Sequence, residues 1–243
     1  MIGENWLILS LVQGLTEFLP VSSSGHLNLF QHFFGLTPSL SFDVLLNTAT
    51  LFSVLFFFRS QVRFFIDNLG KIVIASLPAG LIGVLFKSSL EGIFANFSYL
   101  PYFFLVTSFL LLSSYFLKPA NNNLSYKRAL LIGFFQALAI LPGVSRAGST
   151  IFAGLLLGLS PVTAFNFSFA LFIPASLGAL LLSLKDIGQI GLSLPVIISS
   201  LVTTFIVGVF ALKLLRRFVV SRHLWPFGLY TLILATILFL ASF

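Results

Sequence analysis

The sequence predicts an all-α integral membrane protein, an inverted-repeat bundle of six transmembrane helices plus two re-entrant helical hairpins. The first observation is composition: 58% of the 243 residues are hydrophobic and only 8% are charged. A soluble domain carries about 25% charged residues, so most of this exterior must face lipid. The second is a set of six uninterrupted apolar segments. The third is a pair of interrupted apolar stretches that resemble each other.

Six apolar segments are long enough to cross a membrane, which takes about 17–25 residues. They are 42–58, 69–86, 99–117, 162–184, 193–213 and 224–243. Two further stretches, 6–35 and 129–158, are interrupted by Pro-Val-Ser-Ser-Ser-Gly-His (20–26) and Pro-Gly-Val-Ser-Arg-Ala-Gly-Ser-Thr (142–150). Each half is too short to cross. We therefore predict two re-entrant pairs of half-helices, which are tolerated at membrane depth only where protein buries them.

The basic residues predict an orientation. Ten of the 13 Lys and Arg residues lie in alternate connections, at 59–71, 118–128 and 213–222. Because cytoplasmic loops carry the excess of Lys and Arg, we expect these connections in the cytoplasm and both termini outside. Topology anchoring explains the clusters more simply than anionic-lipid binding does. Their position between apolar runs also argues against a nucleic-acid partner.

The two interrupted stretches match at a constant offset of 123 residues. Eight identities fall within 26 ungapped positions: Gln13/Gln136, Leu15/Leu138, Val21/Val144, Ser22/Ser145, Gly25/Gly148, Gly35/Gly158, Leu36/Leu159 and Pro38/Pro161. Three predicted spans separate the copies, so the second copy should be upside down relative to the first. We predict a single membrane domain, 1–243, built from inverted repeats 1–117 and 124–243. In such folds the binding site lies near the midplane, where the repeats meet.

The first interruption carries a carboxylate, hydroxyls and an imidazole. Gln13 and Glu17 stand four residues apart and share a helical face. A carboxylate at membrane depth costs about 2.5–3.5 kcal/mol on insertion scales and usually marks a site; an ion pair with Arg146 is an alternative that does not exclude this. Ser22, Ser23 and His26 follow at the start of a half-helix, where serine is also an ordinary cap. The combination predicts a catalytic group.

The second interruption predicts an anion site. Arg146 offers a planar, five-donor fork that suits phosphate oxygens, and Gly143 allows the backbone to approach a ligand closely. The half-helix that follows would direct free N–H groups at the same point. With inverted copies, two such N-termini converge on one anion. The further candidates for phosphate binding are Ser145, Ser149 and Thr150.

Other chemistries lack their residues. The chain has no cysteine, which excludes thiolate metal sites and cysteine nucleophiles. It has no Gly-Lys-Ser/Thr phosphate loop, no paired-glycine dinucleotide fingerprint and no His-rich metal cluster.

Both interruptions resemble the motifs of a known family. Gln-Gly-Leu-Thr-Glu-Phe-Leu-Pro-Val-Ser-Ser-Ser-Gly-His (13–26) looks like the glutamate-rich first motif of the undecaprenyl-diphosphatases, the bacitracin-resistance proteins, and 142–150 looks like their second. The resemblance covers essentially the whole chain. It implies hydrolysis of undecaprenyl diphosphate to the monophosphate, at the outer face of the bacterial plasma membrane, which recycles the lipid carrier for cell-wall synthesis. Bacitracin would compete for the substrate, and a homodimer is left open.

Position by position, the resemblance implies functional roles for Glu17, Ser22, Ser23, His26, Ser145, Arg146 and Thr150. Gln13 occupies a place where the family has Glu or Gln, so a single carboxylate remains and a two-carboxylate metal site is disfavoured.

The expected mechanism has two open forms. Arg146 would hold the terminal phosphate and His26 would shuttle a proton. The nucleophile is either Ser23 or a water activated by Glu17. No tightly bound cofactor is expected; Mg²⁺ or Ca²⁺, held in part by Glu17, would offset repulsion between that carboxylate and the diphosphate. The rival hypothesis is a lipid-phosphate transporter or flippase on the same inverted-repeat scaffold.

Overall fold

The structure, a computed structural model, describes residues 2–35, 40–118, 122–187 and 192–241, and within these ranges it contains helices and no strand. The helices are α1 (Ile2–Thr16), α2 (Ser23–Phe33), α3 (Leu40–Phe57), α4 (Val62–Asp67), α5 (Leu69–Leu85), α6 (Lys87–Ala95), α7 (Leu100–Ser113), α8 (Tyr126–Leu138), α9 (Arg146–Leu156), α10 (Pro161–Ile187), α11 (Leu194–Val220) and α12 (Trp225–Ala241). Short 3₁₀ turns, Phe97–Tyr99 and Ser114–Phe116, flank α7.

Three of the described helices are long and apolar enough to cross a membrane. They are Phe97–Phe116, which joins α7 to its flanking turns, Pro161–Leu182 within α10, and α11. These correspond to the predicted spans 99–117, 162–184 and 193–213. The predicted span 69–86 is α5, which bends by 80° into α6; this bent pair qualifies as a fourth span when taken together.

The other two predicted spans, 42–58 and 224–243, correspond to α3, with 18 residues, and α12, with 17 residues. Both are apolar, and at 1.5 Å per residue they rise about 26–27 Å, somewhat less than a hydrocarbon core of about 30 Å. A further difference concerns the basic connection at 213–222, because α11 continues to Val220. Lys213, Arg216 and Arg217 therefore lie on the last turns of a helix and not in a loop.

Both interrupted stretches fold as a helix, a break and a second helix, with the same local geometry. Ser22 and Ser145 cap α2 and α9, and their Oγ atoms accept the N–H groups of Gly25 and Gly148 at 3.3 and 3.1 Å. Gly35 and Gly158 follow the two helices with φ of 62° and 79°, the left-handed conformation that commonly ends a helix. The matched positions Leu36 and Pro38 lie outside the described residues.

Each broken stretch packs against a helix of the other half. α1 contacts α11, where a side chain added at Gly14 would meet Val207, and the Thr204 hydroxyl donates to the carbonyl of Ser10. α8 contacts α5 in the same way, with Gly133 directly against the backbone of Ala75. In both pairs residue numbers rise together along the contact, so the paired helices are parallel.

Two further pairs join corresponding helices of the two halves, and both are antiparallel. α7 packs on α12: the rings of Tyr102 and Phe239 lie 4.9 Å apart, and Gly228 contacts Leu111 further along. α3 packs on α10: the Ser176 hydroxyl donates to Asn47 Oδ1 at 3.2 Å. At the other end of this pair, aromatic rings of α10 stack with those around the end of α3.

Candidate active site

Glu17 lies at the centre of the polar groups, in the turn that follows α1. Its Oε1 accepts a hydrogen bond from Arg146 Nη2 at 2.8 Å, and its Oε2 accepts from Ser23 Oγ at 2.5 Å and from Gln13 Nε2 at 3.1 Å. The side chains of Arg146 and Glu17 are 14% and 11% exposed. A buried ion pair persists only when further hydrogen bonds satisfy it, and here both carboxylate oxygens have donors. The ion pair expected between the two interruptions is therefore present.

The contact between Ser23 and Glu17 has the geometry of a nucleophile and its base. Ser23 is the first residue of α2, and its hydroxyl donates directly to the carboxylate. A general base must lie within hydrogen-bond reach of the atom whose proton it takes, and this pair has the length of a hydrogen bond from a hydroxyl to a carboxylate, about 2.5–2.7 Å. The hydroxyl also lies beside a helix N-terminus, where the dipole favours a developing negative charge.

The Arg146 guanidinium is held on one side and free on the other. Its Nη2 is paired with Glu17, while its centre lies 4.1 Å above the ring of Phe172 and 5.8 Å from that of Phe169. These aromatic faces attract the cation and fix the plane of the fork. Among the described residues, its buried Nη1 has no hydrogen-bond partner. The guanidinium is thus fixed in place with one of its two terminal nitrogens unpaired.

The two breaks contact each other directly. The Gly143 N–H donates to Ser22 Oγ at 3.1 Å. A Cβ at Gly25 would lie 3.0 Å from the Gly143 Cα and 2.7 Å from the Phe104 ring, so glycine permits this approach. Thr107 of α7 fixes the second break: its hydroxyl donates to the Gly143 carbonyl at 2.7 Å and accepts the Ser145 N–H at 2.9 Å.

Ser22 has an unusual backbone. Its φ of 72° places it in the left-handed region, which costs free energy for a residue other than glycine and is concentrated at functional sites. Its hydroxyl and carbonyl together hold Gly25, Gly143 and His26. These contacts fix the turn that presents the neighbouring Ser23.

His26 is buried, and both of its ring nitrogens are engaged away from Ser23 and Glu17. Nδ1 lies 2.7 Å from the Ser22 carbonyl, and Nε2 lies 2.7 Å from the Tyr230 hydroxyl. A carbonyl only accepts, so Nδ1 carries a proton, and in the neutral ring Nε2 is then the acceptor for the Tyr230 hydroxyl. The ring stacks on Tyr230 and meets the edge of Phe104.

The remaining predicted residues have mainly protein partners. Ser145 caps α9, and the Thr150 hydroxyl lies 2.8 Å from the Arg146 carbonyl and 2.6 Å from Ser168 Oγ. Ser149 is buried, and its hydroxyl has no hydrogen-bond partner in the described part of the chain. The structure thus brings Gln13, Glu17, Ser23 and Arg146 together, with Ser22 and Gly143 in the adjacent turns. Roles in substrate binding remain predictions.

Sequence reasoning missed three residues that hold this site: Thr107, Phe172 and Tyr230. Each lies in an apolar span, far along the chain from its partner. A threonine or an aromatic residue within such a span is common, so no local signal distinguishes these positions.

The residues around Glu17 do not fit a resident divalent cation. Mg²⁺ and Ca²⁺ prefer several oxygen ligands, whereas the described residues contain no group of three or more His, Asp and Glu. Both oxygens of Glu17 already accept protein hydrogen bonds.

The sequence matches the family described as "Bacitracin resistance protein BacA" over residues 6–237. It is 41% identical to an undecaprenyl-diphosphatase of Methanobrevibacter smithii, over 97% of this chain and 96% of that protein. The undecaprenyl-diphosphatase of Thermosipho melanesiensis is also 41% identical, over 94% and 95% of the two chains. Undecaprenyl-diphosphatase 2 of Bacillus thuringiensis is 38% identical, over 97% of each chain.

Proposed function

This chain belongs to the family of the bacitracin resistance protein BacA, and we propose that it hydrolyses undecaprenyl diphosphate to undecaprenyl phosphate and inorganic phosphate. It is a membrane phosphatase of the undecaprenyl-diphosphatase kind. The observation that carries the mechanism is the buried contact of Glu17 with both Ser23 and Arg146. That contact joins a nucleophile, its base and a phosphate-binding cation at one carboxylate.

In the first step, Ser23 attacks the terminal phosphorus. Its proton passes to Glu17 Oε2, the Ser23 Oγ–P bond forms, and the bridging P–O bond breaks. Undecaprenyl phosphate leaves with the bridging oxygen. Arg146 stabilises charge on the transferred phosphoryl group, and the free N–H groups at the starts of α2 and α9 add to this.

In the second step, water hydrolyses the phosphoserine. The water oxygen bonds to phosphorus as the Ser23 Oγ–P bond breaks, Glu17 returns its proton to Ser23 Oγ, and the proton of the water leaves with inorganic phosphate, so the resting enzyme is restored. Glu17 keeps its place because Gln13 and Arg146 hold it throughout. Dependence on Mg²⁺ or Ca²⁺ would come from a cation carried by the diphosphate oxygens of the substrate.

His26 supports this chemistry from the next turn of α2. Its Nδ1–H holds the Ser22 carbonyl and so fixes the residue before the nucleophile. Its Nε2 pairs with the Tyr230 hydroxyl, which holds the ring in this orientation, and the proton shuttle expected of His26 stays a prediction.

The nucleophile is tested by rapid-quench trapping with prenyl diphosphate labelled in its terminal phosphate. Labelled protein should appear transiently, Ser23→Ala should abolish both label and turnover, and Glu17→Gln should slow turnover by about 10²–10⁴-fold. Ser24→Ala, which removes the neighbouring hydroxyl, is the control and should still form label. If no label is trapped while Ser23→Ala still releases phosphate, a water activated by Glu17 is the nucleophile.

We further propose that the two halves are inverted repeats, with α1 and α2, and α8 and α9, as re-entrant hairpins. The packing supports this, because a two-fold axis in the membrane plane makes corresponding helices such as α7 and α12 antiparallel. The same axis maps the pair α1/α11 onto the pair α8/α5, and both of these pairs are parallel.

The proposed orientation places the termini and the entrance to the site on the outer face. The basic residues support it, because the three clusters lie close together. Lys118 and Arg222, from the second and third clusters, line one small cavity. Gly70, in the first cluster, contacts Tyr126, in the second. Because the chain has no cysteine, single cysteines can be introduced. An impermeant thiol reagent added outside should label Ser89→Cys and not Asn122→Cys; the reverse pattern would overturn the orientation.

Transport of a lipid phosphate is the second candidate, because inverted repeats with broken helices also occur in transporters. Phosphate release by purified protein separates the two, since a transporter releases none. Bacitracin is expected to lower the rate by sequestering the diphosphate substrate. Formation of a homodimer stays a prediction.

A further inference from the structure

Unpartnered buried polar atoms are concentrated in the second broken stretch. Six side-chain nitrogen and oxygen atoms are buried without a hydrogen-bond partner in the part of the chain that the structure describes. Four of them belong to three residues of α8 and α9: both amide atoms of Gln136, Arg146 Nη1 and Ser149 Oγ. Burying such groups without partners costs free energy, so a cluster of them indicates a ligand.

The repeat explains why the Gln136 amide is free. Gln136 corresponds to Gln13, whose amide donates to Glu17 four residues later. The residue four positions after Gln136 is Ile140, which has no acceptor to offer. Gln136 is thus buried, with 3% exposure, and a hydrocarbon side chain stands where its counterpart has an acceptor.

Helix geometry directs Gln136 toward the site. It lies four residues after Ile132, so the two side chains share one face of α8. Ile132 belongs to the apolar cluster that contains Ala147 and Ile151 of α9. α8 packs on α9, where the rings of Phe135 and Phe152 lie 6.0 Å apart, so Gln136, one residue nearer the break, lies level with the first turns of α9, which begins at Arg146. Ser149 stands three residues after Arg146 and shares its face.

Resting on the proposed function, we propose that Gln136 is a substrate-binding residue, whose amide, with Ser149 Oγ and Arg146 Nη1, binds the terminal phosphate of the diphosphate lipid. The amide nitrogen and the serine hydroxyl donate to non-bridging oxygens, beside the free edge of the guanidinium. The amide oxygen accepts from the water that attacks the phosphoserine. A phosphate oxyanion is the ligand that matches these four protein atoms. Three of the four are hydrogen-bond donors, and none belongs to a carboxylate, which would repel the anion.

The test uses the purified full-length protein and its Gln136→Leu variant, which replaces the amide by an apolar side chain of similar size. For undecaprenyl diphosphate, kcat/KM should fall by about tenfold to a hundredfold, the range for a lost hydrogen bond to a charged group. The inhibition constant of inorganic phosphate should rise by a similar factor. The thermal unfolding temperature should not fall, because the variant no longer buries an unpartnered amide.

Gln31→Leu is the matched control. Gln31 is as buried as Gln136 but donates to Asp43 Oδ1 at 2.9 Å. Its loss should lower the unfolding temperature and leave the inhibition constant of inorganic phosphate unchanged. Ser149→Ala, a smaller change, should raise that inhibition constant even if Gln136→Leu does not fold.

Two outcomes would overturn the role of Gln136 while the proposed function stands: unchanged phosphate inhibition in both Gln136→Leu and Ser149→Ala, or a lower unfolding temperature in Gln136→Leu with normal kinetics. If the unmodified protein releases no phosphate from undecaprenyl diphosphate, the proposed function itself is wrong. Protection of the unmodified protein against thermal unfolding by inorganic phosphate, lost in Gln136→Leu, would still establish the binding site in that case.

Discussion

The two broken stretches share a backbone design and differ in their chemistry. Each has a serine cap at the start of its second helix and a left-handed glycine after that helix. The side chains at corresponding positions differ in two places of three: Gln13, Glu17 and Ser23 in the first stretch become Gln136, Ile140 and Arg146 in the second. In the proposed mechanism the first half-site supplies the nucleophile and its base, and the second supplies the anion binder.

Glu17 links the two half-sites because it contacts Ser23 and Arg146, which occupy the same position in their respective copies. A second carboxylate at position 140 would repel the diphosphate, and an arginine at position 23 would remove the nucleophile. Hydrolysis of a polyanion at this site therefore requires different side chains at corresponding positions of the two broken stretches. Four substitutions test this division of roles.

The largest effect is expected for Arg146→Lys, which keeps the charge of the anion-binding half. Lysine cannot present two donors in a plane to Glu17 and to phosphate at once. Loss of such transition-state stabilisation lowers kcat by about 10²–10³-fold, measured by phosphate release. Arg63→Lys, at a surface pair with a 93% exposed side chain, is the control. Near-normal turnover of Arg146→Lys would remove Arg146 from the site.

The next effect comes from making the halves alike. Ile140→Glu places a carboxylate within reach of Gln136 and the second break. Two unit charges 4 Å apart repel by about 4 kcal/mol at an effective dielectric constant of 20, so we expect KM to rise by at least about tenfold. Ile140→Leu should leave KM unchanged. An unaltered KM in Ile140→Glu would show that phosphate does not approach the second half.

A smaller loss is expected for Tyr230→Phe. The phenylalanine keeps the stacking on His26 but removes the hydroxyl that donates to Nε2. We expect kcat to fall by about tenfold, the order of one hydrogen bond, with KM unchanged. Tyr102→Phe on α7, whose ring contacts Phe239, should behave as the unmodified enzyme. If the substitution changes only the unfolding temperature and leaves kcat unaltered, the Tyr230 hydroxyl contributes to stability and not to catalysis.

The smallest effect on turnover is expected for Thr107→Val, which acts on stability. It leaves the Gly143 carbonyl and the Ser145 N–H buried without their partner, at a cost of about 1–3 kcal/mol. Thermal unfolding in detergent measures this. Thr236→Val is the comparison, because its exposed hydroxyl bonds only within α12, and its effect should stay within about 0.5 kcal/mol. Equal stability of the two variants would contradict the role given to Thr107.

The sequence was sufficient to predict the local features and insufficient for the long-range ones. The breaks and the starts of α2 and α9 could be predicted because Pro, Gly and Ser act on the neighbouring backbone. The pairing of Glu17 with Arg146 could be suggested because isolated charges at membrane depth need partners. Helix ends were less predictable, since hydropathy does not show that α11 continues through Lys213 to Val220. The contacts of Thr107 and Tyr230 arise only from packing between distant helices.

The packing of α1 on α11 has a consequence for biosynthesis. The hydrogen bond between them joins residues 194 positions apart, and Glu17 and Arg146 are 129 apart. At about 5–20 residues per second, α11 leaves the ribosome roughly 10–40 s after α1. During that interval the nascent chain carries a carboxylate and a broken helix that its own later segments must shelter. The insertion machinery or neighbouring lipids must hold this stretch until the second half has been translated, and this delay defines a period in which misassembly and proteolysis compete with maturation.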